Sequence, residues 1–188
     1  MNIAFTMAPG RGDTDLVLNA VADQLIARGY RPCGTVQINS ERPDAGPCDM
    51  DVKVLPDGPV IRISQTLGSG SRGCRLDPNA LETAVANVAA SISQADFLIV
   101  NKFGKHEAEG RGFRTLIADA LMRDMPVLVG LNTLNAPAFM EFCDGLAEEL
   151  PAHCGSLVKW LEFHLPHAPK RNEAMPEAGN LHAIGIPA

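Results

Sequence analysis

The sequence predicts a three-layer α/β fold with a mainly parallel sheet and a short β-hairpin insertion. Three observations carry that prediction. Short apolar runs such as Ile3-Ala4-Phe5-Thr6 and Phe97-Leu98-Ile99-Val100 alternate with longer amphipathic stretches, the pattern of strands followed by covering helices. These runs lack the polar alternation of a one-sided sheet, so they suit strands buried on both faces. Finally, Pro56-Asp57-Gly58 separates two extended pieces and supplies the residues of a hairpin-type turn.

Each element has its own warrant. Residues 2–7 form the first buried strand. A helix over 13–28 follows, with Leu16, Val17, Ala20, Val21, Leu25 and Ile26 along one side and Gly29 as its stop. The next strand covers 34–38, and a Pro- and Gly-containing loop from Glu41 leads to the hairpin pieces 51–55 and 59–64. A Gly/Ser loop, 67–73, precedes a helix over 78–93, where Asp77 is a natural N-cap and Pro78 fits the first helical position. Strand 96–100, helix 110–123, strand 126–131 and helix 136–149 continue the alternation, and 156–164 adds a short helix. Residues 1–165 read as one domain. The remainder, 166–188, is a Pro-rich polar tail, draped over the surface or in part disordered.

Composition narrows the function. A chain of 188 residues is long enough to bury a core. A net charge of −6 and a scarcity of aromatics, with Trp160 and Tyr30 the single examples of their kinds, argue against a nucleic-acid binder. No apolar run reaches the length of a membrane span, and the N-terminus lacks the zones of a signal peptide. No membrane partner and a cytoplasmic location are therefore expected. Five cysteines (Cys33, Cys48, Cys74, Cys143 and Cys154), odd in number and never spaced as CxxC, read as reduced thiols. The histidines are scattered, and no metal site is assigned.

The first strand runs into Met7-Ala8-Pro9-Gly10-Arg11-Gly12-Asp13-Thr14. A strand, a Gly-rich turn and a helix opening on Asp-Thr form the architecture of a phosphate-binding loop, so the fold is P-loop-like. A working Walker A loop reads GxxxxGK followed by Ser or Thr. Gly12 and Thr14 fall in place here, but Met7 stands where the first glycine belongs and Asp13 where the lysine belongs. That lysine neutralises the β- and γ-phosphates, whereas a carboxylate repels them by a similar Coulomb energy. A plain βα turn, with Asp13 or Thr14 as a helix-end stabiliser, is the alternative reading.

The second informative run is Asn101-Lys102-Phe103-Gly104-Lys105-His106-Glu107, at the end of strand 96–100. It resembles the end of the Walker B strand, Asp-Glu-Ile-Gly-Lys-Met-Glu, of the small P-loop nucleoside-triphosphatases first described from thermophiles. Gly104, Lys105 and Glu107 match, and Asn101-Lys102 replaces the acidic pair. The first loop resembles the same family's Pro-Gly-Val-Gly-Lys-Thr-Thr through Pro9, Gly10, Gly12 and Thr14, over an element order spanning residues 1–150. A closer resemblance is to a bacterial family of domains of unknown function, number 2478 in that series. It is carried by Val36-Gln37, Cys48-Asp49-Met50, Ile63-Ser64-Gln65, the run from Ser71 to Pro78, Asn101 to Lys105, and Glu107 to Arg114. Some members of that family are associated with molybdate transport, so the resemblance implies molybdate as one candidate ligand.

The two departures from the Walker pattern are complementary in charge. The first loop has exchanged a cation for Asp13, and the facing strand has exchanged two anions for Asn101 and Lys102. Lys102 is thus expected to pair with Asp13 or to supply the missing positive charge from across the site. Without the Walker B acid, Mg²⁺ is not expected to be tightly held and conventional nucleoside-triphosphate hydrolysis is disfavoured. The expected ligand is a nucleotide or a small oxyanion. Its candidate contacts are Pro9, Gly10, Arg11, Gly12, Asp13, Thr14, Gln37, Asn101, Lys102, Lys105, Arg111 and Arg114, with Asn132 on a neighbouring strand end. Ser71, Arg72, Cys74 and Arg75 form a candidate lid whose alternative is an ordinary surface loop. Three functions stay open: an anion-binding accessory or regulatory protein, a divergent hydrolase or phosphotransferase, and an interaction module with a vestigial site. A protein partner or a second copy of the chain is compatible with each.

Overall fold

The computed structural model describes residues 1–40, 48–65 and 75–165. Ser71, Arg72 and Cys74 of the candidate lid, most of the Pro/Gly loop after Ser40, and the tail from Pro166 lie outside the described residues.

Seven strands form a single sheet in the order β4-β3-β2-β5-β6-β1-β7. They are β1 (Ile3–Thr6), β2 (Pro32–Ser40), β3 (Asp49–Val54), β4 (Val60–Arg62), β5 (Phe97–Asn101), β6 (Val127–Gly130) and β7 (Glu148–Leu150). The run from β2 through β5, β6 and β1 to β7 is parallel throughout. The two Pro-Asp-Gly arms, β3 and β4, add as an antiparallel extension on β2. In the register, Ile3 faces Val127 across β1 and β6, and Ile99 faces Leu128 across β5 and β6.

The period-two alternation of strand side chains sorts the apolar residues onto two faces. Ala4, Val36, Ile99 and Leu128 pack beneath α1 (Asp13–Ala27) and α6 (Cys154–His164). Ile3, Phe5, Leu98, Val100 and Val129 pack on the opposite side, against α2 (Pro78–Ser91), α4 (Arg114–Met122) and α5 (Ala136–Phe142). The result is the expected three layers. At the start of α2, the Asp77 carboxylate accepts hydrogen bonds from the backbone amides of Asn79 (2.9 Å) and Ala80 (3.2 Å), with Pro78 following it in the first turn.

Two helices are shorter than the sequence predicts. The stretch read as 110–123 is helical only from Arg114, as α4, because Gly110 and Gly112 take positive φ of 90° and 57°; a separate short helix, α3 (Lys105–Ala108), precedes them. The stretch read as 136–149 ends at Phe142, where Asp144 and Gly145 both adopt positive φ, and the chain then forms β7 beside β1. Residues Glu148–Leu150 give β7 little local signal; pairing with Ala4–Thr6 decides their conformation.

Candidate functional site

The carboxyl ends of β1, β2, β5 and β6 open on one side of the sheet, where open α/β folds place their ligands. From β1 the chain passes through the Gly-rich turn into α1, with Gly12 in the left-handed conformation (φ 87°) at the helix N-cap. A Cβ built on Gly10 would meet Asp13 Oδ2 at 2.0 Å. The Asp13 carboxylate is thus folded back against the loop backbone. The Thr14 hydroxyl oxygen accepts a hydrogen bond from the Ala8 amide at 2.9 Å, which ties the loop's two ends together.

The pairing expected between Asp13 and Lys102 is not the one that forms. Asp13 is exposed, whereas Asp15 is buried and lies with its Oδ1 at 3.7 Å from Lys102 Nζ. Helical geometry explains the exchange, since residues two apart in a first turn point in different directions. The other Asp15 oxygen accepts from Asn39 Nδ2 at 2.7 Å, and Asn39 Oδ1 accepts from Gln37 Nε2 at 2.8 Å. A polar chain therefore runs from β2 to α1 and on to the end of β5.

Asn101 is buried at the last position of β5, and both polar atoms of its side chain lack a hydrogen-bond partner among the described residues. A Cβ on Gly130 would lie 3.1 Å from both Asn101 Oδ1 and Thr14 Cγ2. These two side chains thus meet over Gly130, on the α1 side of the sheet. A Mg²⁺ ion drawn to a phosphate site takes one or two carboxylates. The pair available here is a neutral hydroxyl and a neutral amide, and the Asp15 carboxylate is engaged by Asn39 and Lys102. These residues do not fit a tightly held Mg²⁺.

Two contiguous compartments make up the cleft. One, of about 340 Å³, is polar and bordered by Gly12, Asp15, Asn39 and Cys48. The other, of about 400 Å³, extends across the opposite side of the strand ends, past Lys105, Asn132 and Asn135. Arg11, Gln37, Met50, Arg75 and Lys102 border both. Arg75 is held in place by donating to the Cys48 carbonyl at 2.9 Å and approaching Asp49 Oδ1 at 3.5 Å. Lys105 is largely exposed, 3.6 Å from Glu109.

Not every candidate cation reaches the cleft. Arg111 is ion-paired with Glu109 and borders a separate, smaller hollow beside Pro78. Arg114 stacks its guanidinium 4.4 Å from the centre of the Phe142 ring and donates to the Glu107 carbonyl. Of the candidate contacts Lys102, Lys105, Arg111 and Arg114, the two lysines thus lie at the cleft and the two arginines are engaged elsewhere. Pro9 is exposed on the loop.

Glu107, one of the residues matching the Walker B-like run, has a local task. Its buried carboxylate accepts from the amides of Gly104 (2.9 Å) and Phe113 (3.2 Å), closing the turn that carries α3. Burial pushes this carboxyl above the ordinary glutamate value, against the opposing pull of those hydrogen bonds. Beside it, the Glu82 carboxylate bonds His106 Nε2 at 2.9 Å and accepts from the Gly112 amide at 3.0 Å. The sequence reading overlooked Asp15 and Asn39. Asp15 was visible only as a second acid in a helix first turn, which is routine stabilisation.

Among the described residues, no group of three or more His, Cys, Asp or Glu side chains is placed to hold a metal ion. No helix among them is long and apolar enough to cross a membrane.

The fold is that of a P-loop nucleoside triphosphatase: the chain is similar to the solution structure of a human cancer-related nucleoside triphosphatase. That similarity has a TM-score of 0.57 at 18% identity, covering 80% of this chain and 88% of the other. Residues 3–160 match the model of the family described as a protein of unknown function, DUF2478, and the chain belongs to that family. It is also 36% identical, over 151 residues, to a molybdenum import ATP-binding protein, ModC 2, of Bradyrhizobium diazoefficiens. The match takes in 79% of this chain but only 17% of that relative, so the chain spans about a sixth of its length.

Proposed function

We propose that this protein binds a nucleotide or a small oxyanion in the strand-end cleft and acts as an accessory or regulatory protein with little or no hydrolysis. The observation that carries this reading is the placement of Lys102. It brings a positive charge to the end of β5, against Asp15 at 3.7 Å, while the loop position that would hold a lysine carries the Asp13 carboxylate. A ligand phosphate or oxyanion would take Lys102 from Asp15 and draw on Arg11 and Arg75 at the same rim. The absence of an acid at Asn101 speaks against metal-assisted hydrolysis, which depends on a held Mg²⁺. Molybdate and tungstate belong among the ligands tested because a relative that shares this region is a molybdenum import ATP-binding protein.

The test is a thermal-shift screen of the full chain against ATP, GTP, ADP, phosphate, sulfate, molybdate and tungstate, each with and without Mg²⁺. A ligand that binds only the native state raises the melting temperature by mass action. A shift with one ligand, lost in Lys102→Ala, is the expected result. Mg²⁺-dependent turnover abolished by Thr14→Ala would favour a divergent hydrolase or phosphotransferase instead. No shift at millimolar ligand would leave an interaction module with a vestigial site as the better reading.

A further inference from the structure

A tetrahedral oxyanion would leave most of this cleft empty. The larger compartment, about 400 Å³, is within the size range of sites that enclose organic ligands. Beyond the cationic rim the exposed wall is mainly apolar, from Met50 of β3, Ile63, Leu76, Leu81 of α2 and Phe113. The buried Asn101, His106 and Glu107 also border it. The chemistry is divided by position. Arg11, Arg75 and Lys102 lie along the border with the polar compartment, Lys105 lines the larger one, and Gln37 of β2 and Asn132 after β6 add side-chain amides. Apolar walls with a few convergent polar groups are the composition of a site that buries a carbon skeleton and orients it by its charged end.

We propose that the cleft takes a small organic anion, its acid group held by Lys102 and Arg75 and its apolar body seated against Met50, Leu76 and Leu81. This rests on the anion-binding reading above and narrows it to a ligand larger than an inorganic oxyanion. Charge complementarity selects the acid, and the apolar walls select the body, because burying carbon surface adds affinity in proportion to the area removed from water.

The experiment compares inorganic phosphate with 1-naphthyl phosphate by calorimetric titration of the full chain. The two probes share an acid group and differ in the apolar body. The expected result is that 1-naphthyl phosphate binds at least about tenfold more tightly. The neutral polar variants Met50→Gln and, independently, Leu76→Asn should remove most of that advantage while leaving phosphate affinity within about twofold, since neither adds charge beside the cations. Far-UV circular dichroism verifies that each variant is folded, and Met50→Leu should keep the advantage. Equal affinity for the two probes, or an advantage that survives both neutral polar variants, overturns the proposal. If phosphate and nucleotides fail to bind while 1-naphthyl phosphate still binds in a Met50-dependent way, the broader reading fails and this one stands. If phosphate binds through Lys102 but the naphthyl group adds nothing, the outcome is the reverse.

Discussion

Lys102 at the end of β5 faces Asp15 in the first turn of α1, with 3.7 Å between its Nζ and the carboxylate Oδ1. Asp15 is almost fully buried, and that oxygen has no hydrogen bond among the described residues. The ion pair joins the helix that follows the Gly-rich loop to the chain just past β5. Removing Lys102 strands a buried charge, which costs more than losing a surface pair. Lys102→Ala should lower unfolding stability by about 1–2 kcal/mol, moderated by the partial exposure of the lysine. Adding Asp15→Asn should recover most of that loss. Urea denaturation of the single and double variants checks both statements.

The Asp13 carboxylate folds back against Gly10, inside the loop expected to hold an anion. Its removal should help a phosphate-bearing ligand. We expect Asp13→Asn to tighten ATP or phosphate binding by roughly threefold to tenfold at low salt, an effect that shrinks as ionic strength rises. Titrations at two salt concentrations measure it. An unchanged affinity would place the bound anion away from this loop.

Gly34 carries a close approach between β2 and β5. Its φ is 108°, and a Cβ there would sit 1.8 Å from the carbonyl oxygen of Ile99. Backbone cannot give way as a flexible side-chain end can, so Gly34→Ala should cost about 3 kcal/mol or more. A large fall in the denaturation midpoint, or failure to accumulate folded protein, is the expected outcome.

Glu107 gives a pH signature of definite sign. Burial raises its carboxyl, so the folded state binds this proton more tightly than the unfolded state does. Its contribution to stability is fully present below the unfolded glutamate value and declines as pH rises through the raised folded value. Glu107→Gln removes that decline but loses one of the acceptors for Gly104 and Phe113, at about 1–2 kcal/mol. The stability advantage of the wild type over the variant should thus be larger near pH 4 than near pH 8, as measured by denaturation across that range.

Burial pushes the thiols of Cys33 and Cys143 up to about 12 and about 11. Thiolate is the reactive form, so both should resist alkylation at pH 8 in the folded protein. Among the described cysteines, Cys48 and Cys154, both half-buried, should react first. Iodoacetamide labelling followed by peptide mass mapping distinguishes the sites, and denatured protein should lose the difference.

The strands and most helices were legible because their signals are local. Apolar runs such as Ile3–Thr6 and Phe97–Asn101 specify buried parallel strands, and Asp77-Pro78 specifies the start of α2. The Pro-Asp-Gly turn likewise marks the antiparallel β3–β4 pair. The late start of α4 was missed because Gly110 and Gly112 adjoin an apolar periodic stretch, and the break at Asp144-Gly145 because apolar residues resume beyond it, so a local window reads helix through these turns.

The sequence by itself determined the layer architecture, the Gly-rich turn before α1 and the charge exchange between Asp13 and Asn101-Lys102. Those features depend on residue type and short-range order. Tertiary structure alone decided that Lys102 meets Asp15, that Arg111 and Arg114 turn to Glu109 and Phe142, and that Glu148–Leu150 becomes a strand against β1. Each of these outcomes depends on the direction of a side chain or on the availability of a distant partner. Chain packing fixes those quantities in three dimensions, and no local pattern encodes them.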